Sequence, residues 1–152
     1  MSIPCGLVPP SFRHEAAATG AGAMRVIVPG EATGNAYAVC LGSFEPGSGP
    51  GRHVHAREDE ILHVLEGRLL LWCDGRVFEA GSGDTAALPR GVPHSFRVIS
   101  DRPARVLTTV IPGGLEHFLA AAAGLRSPDE QARLAGVGRD YGIEYVNPLP
   151  EA

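Results

Sequence analysis

Short apolar runs, separated by glycine, proline and aspartate, dominate the chain between residues 24 and 111. Eight runs stand out: MRVIV, AYAVCLGSF, EILHVL, RLLLWC, RVFEA, DTAALP, HSFRVI and ARVLTTVI. They are rich in β-branched residues, and turn sequences such as CDG at 73–75 and AGSGD at 80–84 lie between them. Many short strands at close spacing predict an all-β fold, either a sandwich or a barrel.

The pattern changes after Ile111. The run PGGLEHFLAAAAGL places four apolar residues on one helical stripe, Leu115, Phe118, Leu119 and Ala122. In the next run, SPDEQARLAGVG, Ser127 is a good N-cap and Pro128 stands at the first helical position. We therefore expect two short helices after the β body, followed by an apolar tail, YGIEYVNPLPEA, that packs back onto the protein.

The length of 152 residues fits one domain, which we divide into three segments. Residues 1–23 are rich in Pro, Gly and Ala without a sustained period, and are predicted to form an N-terminal arm. Residues 24–112 are predicted to form the β-barrel. Residues 113–152 are predicted to form a C-terminal helical segment and a tail that packs on the barrel.

Composition and charge narrow the range of partners. The net charge is −4 and the arginines are scattered, so no nucleic-acid partner is expected. No apolar run approaches a membrane span, and the first residues lack a signal-peptide pattern. The three cysteines, Cys5, Cys40 and Cys73, are odd in number and lack CxxC spacing. This argues against a disulfide framework and predicts a cytoplasmic, reducing location.

Histidines and acids are concentrated in the stretch GSGPGRHVHAREDEILHVLEG, residues 47–67. His53 and His55 are two residues apart, so on a strand both imidazoles point to the same side of the sheet. This is a simple way to place two metal ligands together. The sequence ARED at 56–59 then predicts a turn into a second strand.

The alternation of side chains between the two faces of that second strand separates the remaining candidate ligands. Glu60 shares a face with two apolar residues and is predicted to point inward, beside the two histidines. His63 lies on the opposite face and is predicted to point away from a metal. Glu58 and Asp59 belong to the turn, and we interpret both as solvated charges.

The spacing of these residues resembles the first motif of the cupin family. Gly47 is followed by five residues, the sequence HVH, four residues, Glu60, six residues and Gly67, without departure from the motif. The second cupin motif is matched from Gly83, with five residues, PRG at 89–91, two residues and His94. Only its last position differs, because Val98 stands where the motif has asparagine, which is not a metal ligand in the pattern.

The two motifs together cover about residues 47 to 98. Flanking sequences such as ATGNAYAV, IPGGLEHF and YGIEYV resemble small single-domain cupins grouped with bacterial quercetin 2,3-dioxygenase. The resemblance implies a double-stranded β-helix, a jelly-roll barrel of two antiparallel sheets. It also implies a homodimer, because small cupins of this kind often pair.

The resemblance carries four metal ligands onto this chain: His53, His55, Glu60 and His94. Three imidazoles and one carboxylate suit one divalent transition metal ion, which is Fe, Ni, Mn, Co or Zn. By alternation and position, seven apolar residues are predicted to line a substrate pocket beside it: Phe44, Leu62, Val64, Ala86, Leu88, Phe96 and Val110. For any one of these residues taken alone, filling the barrel core is the favoured interpretation.

The resemblance implies a metal-dependent dioxygenase that acts on a small enol or phenolic, flavonol-like molecule, with dioxygen as second substrate. In this hypothesis Glu60 is also catalytic and takes the substrate proton, if its pKa is raised in the pocket. Two alternatives stay open, because one fold hosts many reactions. One is a non-redox metal-dependent isomerase, cyclase or lyase, for example in polyketide-type metabolism. The other is a non-catalytic cupin that binds a small ligand.

Overall fold

The computed structural model describes residue 8 and residues 17–19, 22–125 and 128–146. Eleven strands are found in these residues: β1 (Ala17–Thr19), β2 (Gly22–Val28), β3 (Ala38–Phe44), β4 (His53–His55), β5 (Asp59–Glu66), β6 (Arg68–Cys73), β7 (Arg76–Gly81), β8 (Thr85–Leu88), β9 (His94–Val98), β10 (Ala104–Ile111) and β11 (Ile143–Tyr145). They form a six-stranded sheet in the order β1-β2-β3-β10-β5-β8 and a five-stranded sheet in the order β11-β4-β9-β6-β7. Neighbouring strands in both sheets pair antiparallel, as expected for the predicted all-β class.

Alternating burial along the strands shows which face of each sheet is inside. On β10, Val106 and Val110 are fully buried, whereas Arg105 and Ile111 are exposed. A period of two is expected where one face of an antiparallel sheet meets the core and the other meets water. The inner faces meet in a core cluster whose fully buried side chains include Leu62, Val64, Leu69 and Leu71. Each such side chain contributes about 1.5–3 kcal/mol by leaving water.

The glycine of the turn between β5 and β6 is explained by its surroundings. Gly67 has a φ of 88°, a conformation that side chains other than glycine rarely adopt. A Cβ atom added there would lie 2.9 Å from both the Cα and the Cβ of Ala104 on β10. The turn can therefore close tightly against β10 only with glycine at this position.

Two helices follow the β body, α1 (Leu115–Ala122) and α2 (Pro128–Asp140). The predicted stripe of α1 is buried, and it packs with Val26, Cys40 and Val110 in a second hydrophobic cluster. Ser127, the predicted N-cap of α2, lies outside the described residues. In the described part of the chain, no helix is long and apolar enough to span a membrane.

A buried carboxylate fixes the start of α1. Glu116 accepts hydrogen bonds from the backbone N–H of Gly30, at 2.6 Å, and of Gly114, at 2.9 Å. Gly30 opens a short 3₁₀ turn after β2, spanning Gly30–Thr33. Because Gly30 is 86 residues away in sequence, Glu116 ties α1 to the segment between β2 and β3 of the six-stranded sheet.

Most of the predicted N-terminal arm, including Cys5, lies outside the described residues. Its last part joins the six-stranded sheet, because β1 pairs with β2 and Ala17 is opposite Met24. The sheet therefore begins before residue 24, the predicted first residue of the barrel.

Candidate metal centre

Four sequence-predicted ligands converge at one point between the two sheets. His53 and His55 lie on β4, and His94 lies opposite His53 on the neighbouring strand β9. Glu60 comes from β5, which belongs to the facing six-stranded sheet. One potential ligand atom from each residue lies within 4.8 Å of the others. The cluster thus joins the two sheets from the inside of the barrel.

Hydrogen-bond partners determine which ring nitrogen of each histidine faces this point. His53 Nδ1 lies 2.7 Å from the carbonyl oxygen of Gly51, and His94 Nδ1 lies 3.0 Å from that of Val92. A carbonyl oxygen only accepts, so Nδ1 must carry the proton in both rings. In the neutral form of each ring, Nε2 is then the unprotonated nitrogen, and it points inward, as metal-binding imidazoles require.

The spacing of the inward atoms fits a single metal ion. The Nε2 atoms of His53 and His55 are 3.1 Å apart, and Glu60 Oε2 lies 3.2 Å from His94 Nε2 and 3.5 Å from His55 Nε2. Ligands at about 2.1 Å from a metal are about 3.0 Å apart at the cis positions of an octahedron and about 3.4 Å apart in a tetrahedron. Three imidazoles and one carboxylate at these separations could hold Fe, Ni, Mn, Co or Zn.

Electrostatics favours the metal-binding protonation states of two of these ligands. Burial, followed by the nearby His94 and His55, lowers the pKa of His53 to about 3. Burial alone would raise the pKa of Glu60, but the hydrogen bond from His94 and the electrostatic effect of the surrounding histidines lower it to about 2. At neutral pH His53 is therefore neutral and Glu60 is ionised.

The interaction between His94 and Glu60 shifts the pKa values of these two residues in opposite directions. Burial opposes protonation of His94, but its hydrogen bond to Glu60 and the charge of Glu60 raise its pKa above the usual value. The raised pKa that the sequence hypothesis required of Glu60 as a base is not found. The physical reason is that three histidines surround the carboxylate and stabilise its charged form.

A cavity of about 290 Å³ opens directly onto the four residues. Among the residues predicted to line a pocket, Phe44, Leu88 and Phe96 lie on its wall. Four others do not line it: Leu62, Val64, Ala86 and Val110. The first three of these pack in the cluster between the sheets, and Val110 packs in the cluster under the helices.

Sequence reasoning did not assign the rest of the wall to a site. Leu115, Phe118 and Leu119 of α1 line the cavity, as do Leu134 of α2 and Ile143 and Tyr145 of β11. Strand β11 reaches the site by pairing with β4, which sets Tyr145 opposite His53. The available signals are the apolar stripe of α1 and the apolar tail, but such patterns are equally typical of packing surfaces. Met24 and Thr108 line the cavity from the six-stranded sheet, and Gly49, Pro50 and Gly51 line it from the segment before β4.

The remaining residues of the dense stretch have different environments. His63 points away from the cluster, and its Nδ1 lies 2.7 Å from Thr85 Oγ1. Asp59 forms a two-pronged ion pair with Arg90, at 2.9 and 3.1 Å, on the surface. The expectation that Glu58 is a solvated charge is wrong, because Glu58 is 6% exposed. The turn after β4 places its Oε2 3.4 Å from His55 Nδ1.

Comparison with known proteins agrees with this geometry. The family model of the cupin domain matches residues 40–117, a little over half of the chain. Quercetin 2,3-dioxygenase from Bacillus subtilis (strain 168) is 36% identical over 93 residues, which are 61% of this chain and 27% of that protein. The chain covers from 27 to 48% of the length of the curated relatives that it matches.

Solved structures show the same architecture. KdgF from Halomonas sp. superposes with a TM-score of 0.64 at 16% identity, covering 75% of this chain and 99% of that one. A sugar phosphate isomerase of the cupin superfamily from Silicibacter pomeroyi DSS-3 superposes with a TM-score of 0.54 at 30% identity. The match covers 70% of this chain and 74% of that one. With two packed antiparallel sheets and the family match over its centre, the chain belongs to the cupin domain family.

Proposed function

We propose that this cupin is a metal-dependent dioxygenase that acts on a small enol or phenolic substrate. The observation that carries the proposal is the opening of four convergent ligands, His53, His55, Glu60 and His94, onto a small apolar cavity. Convergent polar groups in an otherwise apolar pocket are typical of a small-molecule site.

The walls of the cavity define the class of substrate. Its volume of about 290 Å³ is at the lower end for ligand sites, which suits a compact molecule. No lysine or arginine is among its lining residues in the described part of the chain. Apart from the four ligands, Thr108 and Tyr145 supply the side-chain polar groups of the wall. A flat or apolar substrate with one or two oxygen atoms fits these walls better than a phosphate or a dicarboxylate.

Each part of the site has a role in this proposal. A divalent metal held by the four ligands would supply Lewis acidity and free coordination positions. Glu60, with a pKa of about 2, is ionised and can serve as the carboxylate ligand of that metal. Burial raises the pKa of Tyr145 to about 12, so its phenol keeps its proton and can donate a hydrogen bond. Phe44, Phe96 and Phe118 exclude water from the bound substrate.

The similarity to the quercetin 2,3-dioxygenase of Bacillus subtilis supports this choice of reaction. The test is oxygen consumption by the protein loaded separately with Fe, Ni, Co or Mn, with quercetin and simpler enols as substrates. We expect uptake that depends on both metal and substrate, and none by the matched His53→Ala variant. If no loaded form consumes oxygen with these substrates, the dioxygenase proposal fails.

A non-redox reaction at the same centre is the second candidate. The similarity to a sugar phosphate isomerase at 30% identity favours it, although the cavity wall offers no cationic side chain for a phosphate. In this alternative the substrate is uncharged, and a divalent metal held by the four ligands would supply Lewis acidity toward a carbonyl group. Turnover that continues under strict anaerobiosis would support the isomerase, cyclase or lyase, and turnover that stops would support the dioxygenase.

A further inference from the structure

The three imidazoles of the candidate metal centre are not held in the same way. His53 and His94 each direct Nδ1 to a backbone carbonyl two residues earlier, at Gly51 and Val92. His55 instead directs Nδ1 toward a side chain, the carboxylate of Glu58, at 3.4 Å. Among the Nδ1 atoms of the three histidines, only that of His55 faces a carboxylate.

The carboxylate of Glu58 is buried beside a second cavity. Glu58 is 6% exposed, and its Oε1 faces Gly114 at the start of α1. A second cavity of about 300 Å³ lies on this side, and Arg57 and His117 are among the residues that line it with Glu58. Glu58 thus stands between this cavity and the back of the His55 ring, with cationic or protonatable neighbours along the cavity wall.

We propose that Glu58 is a positioning residue that orients His55 and strengthens it as a metal ligand. A carboxylate that accepts the Nδ1 proton fixes the tautomer with Nε2 free and makes that nitrogen more basic. The backbone carbonyls at Gly51 and Val92 fix the other two rings without adding a charge. This role rests on the metal site of the proposed function, and it requires no particular reaction.

The experiment compares nickel affinity among matched variants of the full chain. The variants are Glu58→Met, which keeps a similar side-chain volume without an acceptor, and Glu58→Gln, which keeps an acceptor without the charge. The control is Glu66→Gln, which removes an exposed carboxylate from β5 that pairs with Arg105 rather than with a histidine. Each metal-free protein is titrated with Ni²⁺ in competition with a chelator, and its folding is followed by circular dichroism and thermal unfolding.

We expect Glu58→Met to bind nickel on the order of 10- to 100-fold more weakly, as is common when the partner of a ligating histidine is removed. The nickel affinity of Glu58→Gln should lie between those of Glu58→Met and the wild type, and the affinity of Glu66→Gln should match that of the wild type. A role limited to filling space predicts wild-type affinity for the methionine variant, and that result would overturn the proposal. If the methionine variant does not fold, wild-type affinity of Glu58→Gln overturns it instead.

The wild-type titration separates this inference from the proposal on which it rests. A wild type that binds none of Ni, Co, Mn, Fe or Zn overturns the metal centre itself. A wild type that binds nickel while both Glu58 variants match it overturns only the role of Glu58.

Discussion

The Nε2 atoms of His53 and His55 lie 3.1 Å apart, while the Nδ1 atom of each ring faces an oxygen acceptor. With Nδ1 protonated in both rings, neither Nε2 carries a hydrogen, so the contact cannot be a hydrogen bond between two neutral rings. Two inward lone pairs at this distance repel each other unless a cation lies between them. A metal ion bound by both Nε2 atoms would remove this repulsion.

The first prediction concerns metal content. Substitution of His53, His55 or His94 by alanine should remove one of four ligands and lower metal affinity by about 100-fold or more, since loss of even an outer-shell partner costs 10- to 100-fold. Elemental analysis after equilibration with a weak chelator measures the loss. The matched control is His63→Ala, because His63 contacts Thr85 outside the cluster and should keep its metal. Equal loss of metal in His63→Ala would contradict the assignment of the ligands.

The second prediction concerns stability. Nickel at 100 times its dissociation constant should stabilise the folded chain by about 2.7 kcal/mol, because the unfolded chain has no preformed site. For a protein of this size, that gain corresponds to a rise of roughly 5 to 10 °C in Tm. Thermal unfolding with and without EDTA measures the shift. The His53→Ala variant should lose most of the shift, and an equal shift in that variant would show that nickel acts elsewhere.

Strand parity and motif spacing were enough to predict the group of four candidate ligands. The side chains of a strand alternate between its faces, so His53 and His55 must point to one side, and Glu60 must share a face with Leu62 and Val64. The helical stripe of α1 could be predicted for the same reason, because Leu115 and Phe118 follow the helical period. These features depend on local geometry, which the sequence specifies directly.

Features that depend on the packing of distant segments could not be predicted in this way. The cavity wall formed by Leu134 and Tyr145 requires α2 and β11 to fold back over β4, which no local pattern specifies. Glu58 was misassigned for a related reason. A turn residue is buried only when another element covers it, and here the start of α1 at Gly114 lies against its carboxylate.

The third prediction concerns the attachment of α1. Glu116→Ala should destabilise the fold by roughly 2 to 4 kcal/mol, because it leaves the N–H groups of Gly30 and Gly114 without their acceptor. Urea unfolding measures the change in the free energy of unfolding. The neighbouring His117→Ala variant is the control, since His117 is exposed and surface substitutions usually change stability by less than about 0.5 kcal/mol. Equal stability of the two variants would contradict the role of Glu116.

The fourth prediction concerns the pH dependence of the metal-free protein. The pKa of His53 is about 3 in the folded chain and near 6.5 when unfolded, so between these values the unfolded chain binds a proton that the folded chain does not. Stability should therefore fall as the pH drops below 6.5, by up to about 1.4 kcal/mol per pH unit for one proton. Urea unfolding in EDTA at several pH values measures this slope.

The other two shifted groups of the centre act in separate pH ranges. The depressed pKa of Glu60 adds to the loss of stability only below about pH 4.5, the ordinary pKa of this carboxyl group. The raised pKa of His94 contributes to the stability of the folded chain. This contribution is complete below pH 6.5 and is lost as the pH rises through the pKa of His94 in the folded chain. The slope between pH 6.5 and 4.5 therefore isolates His53 from these two groups, and His53→Asn, which has no titrating ring, should flatten it. An unchanged slope in that variant would mean that His53 is not the group that loses its proton on folding.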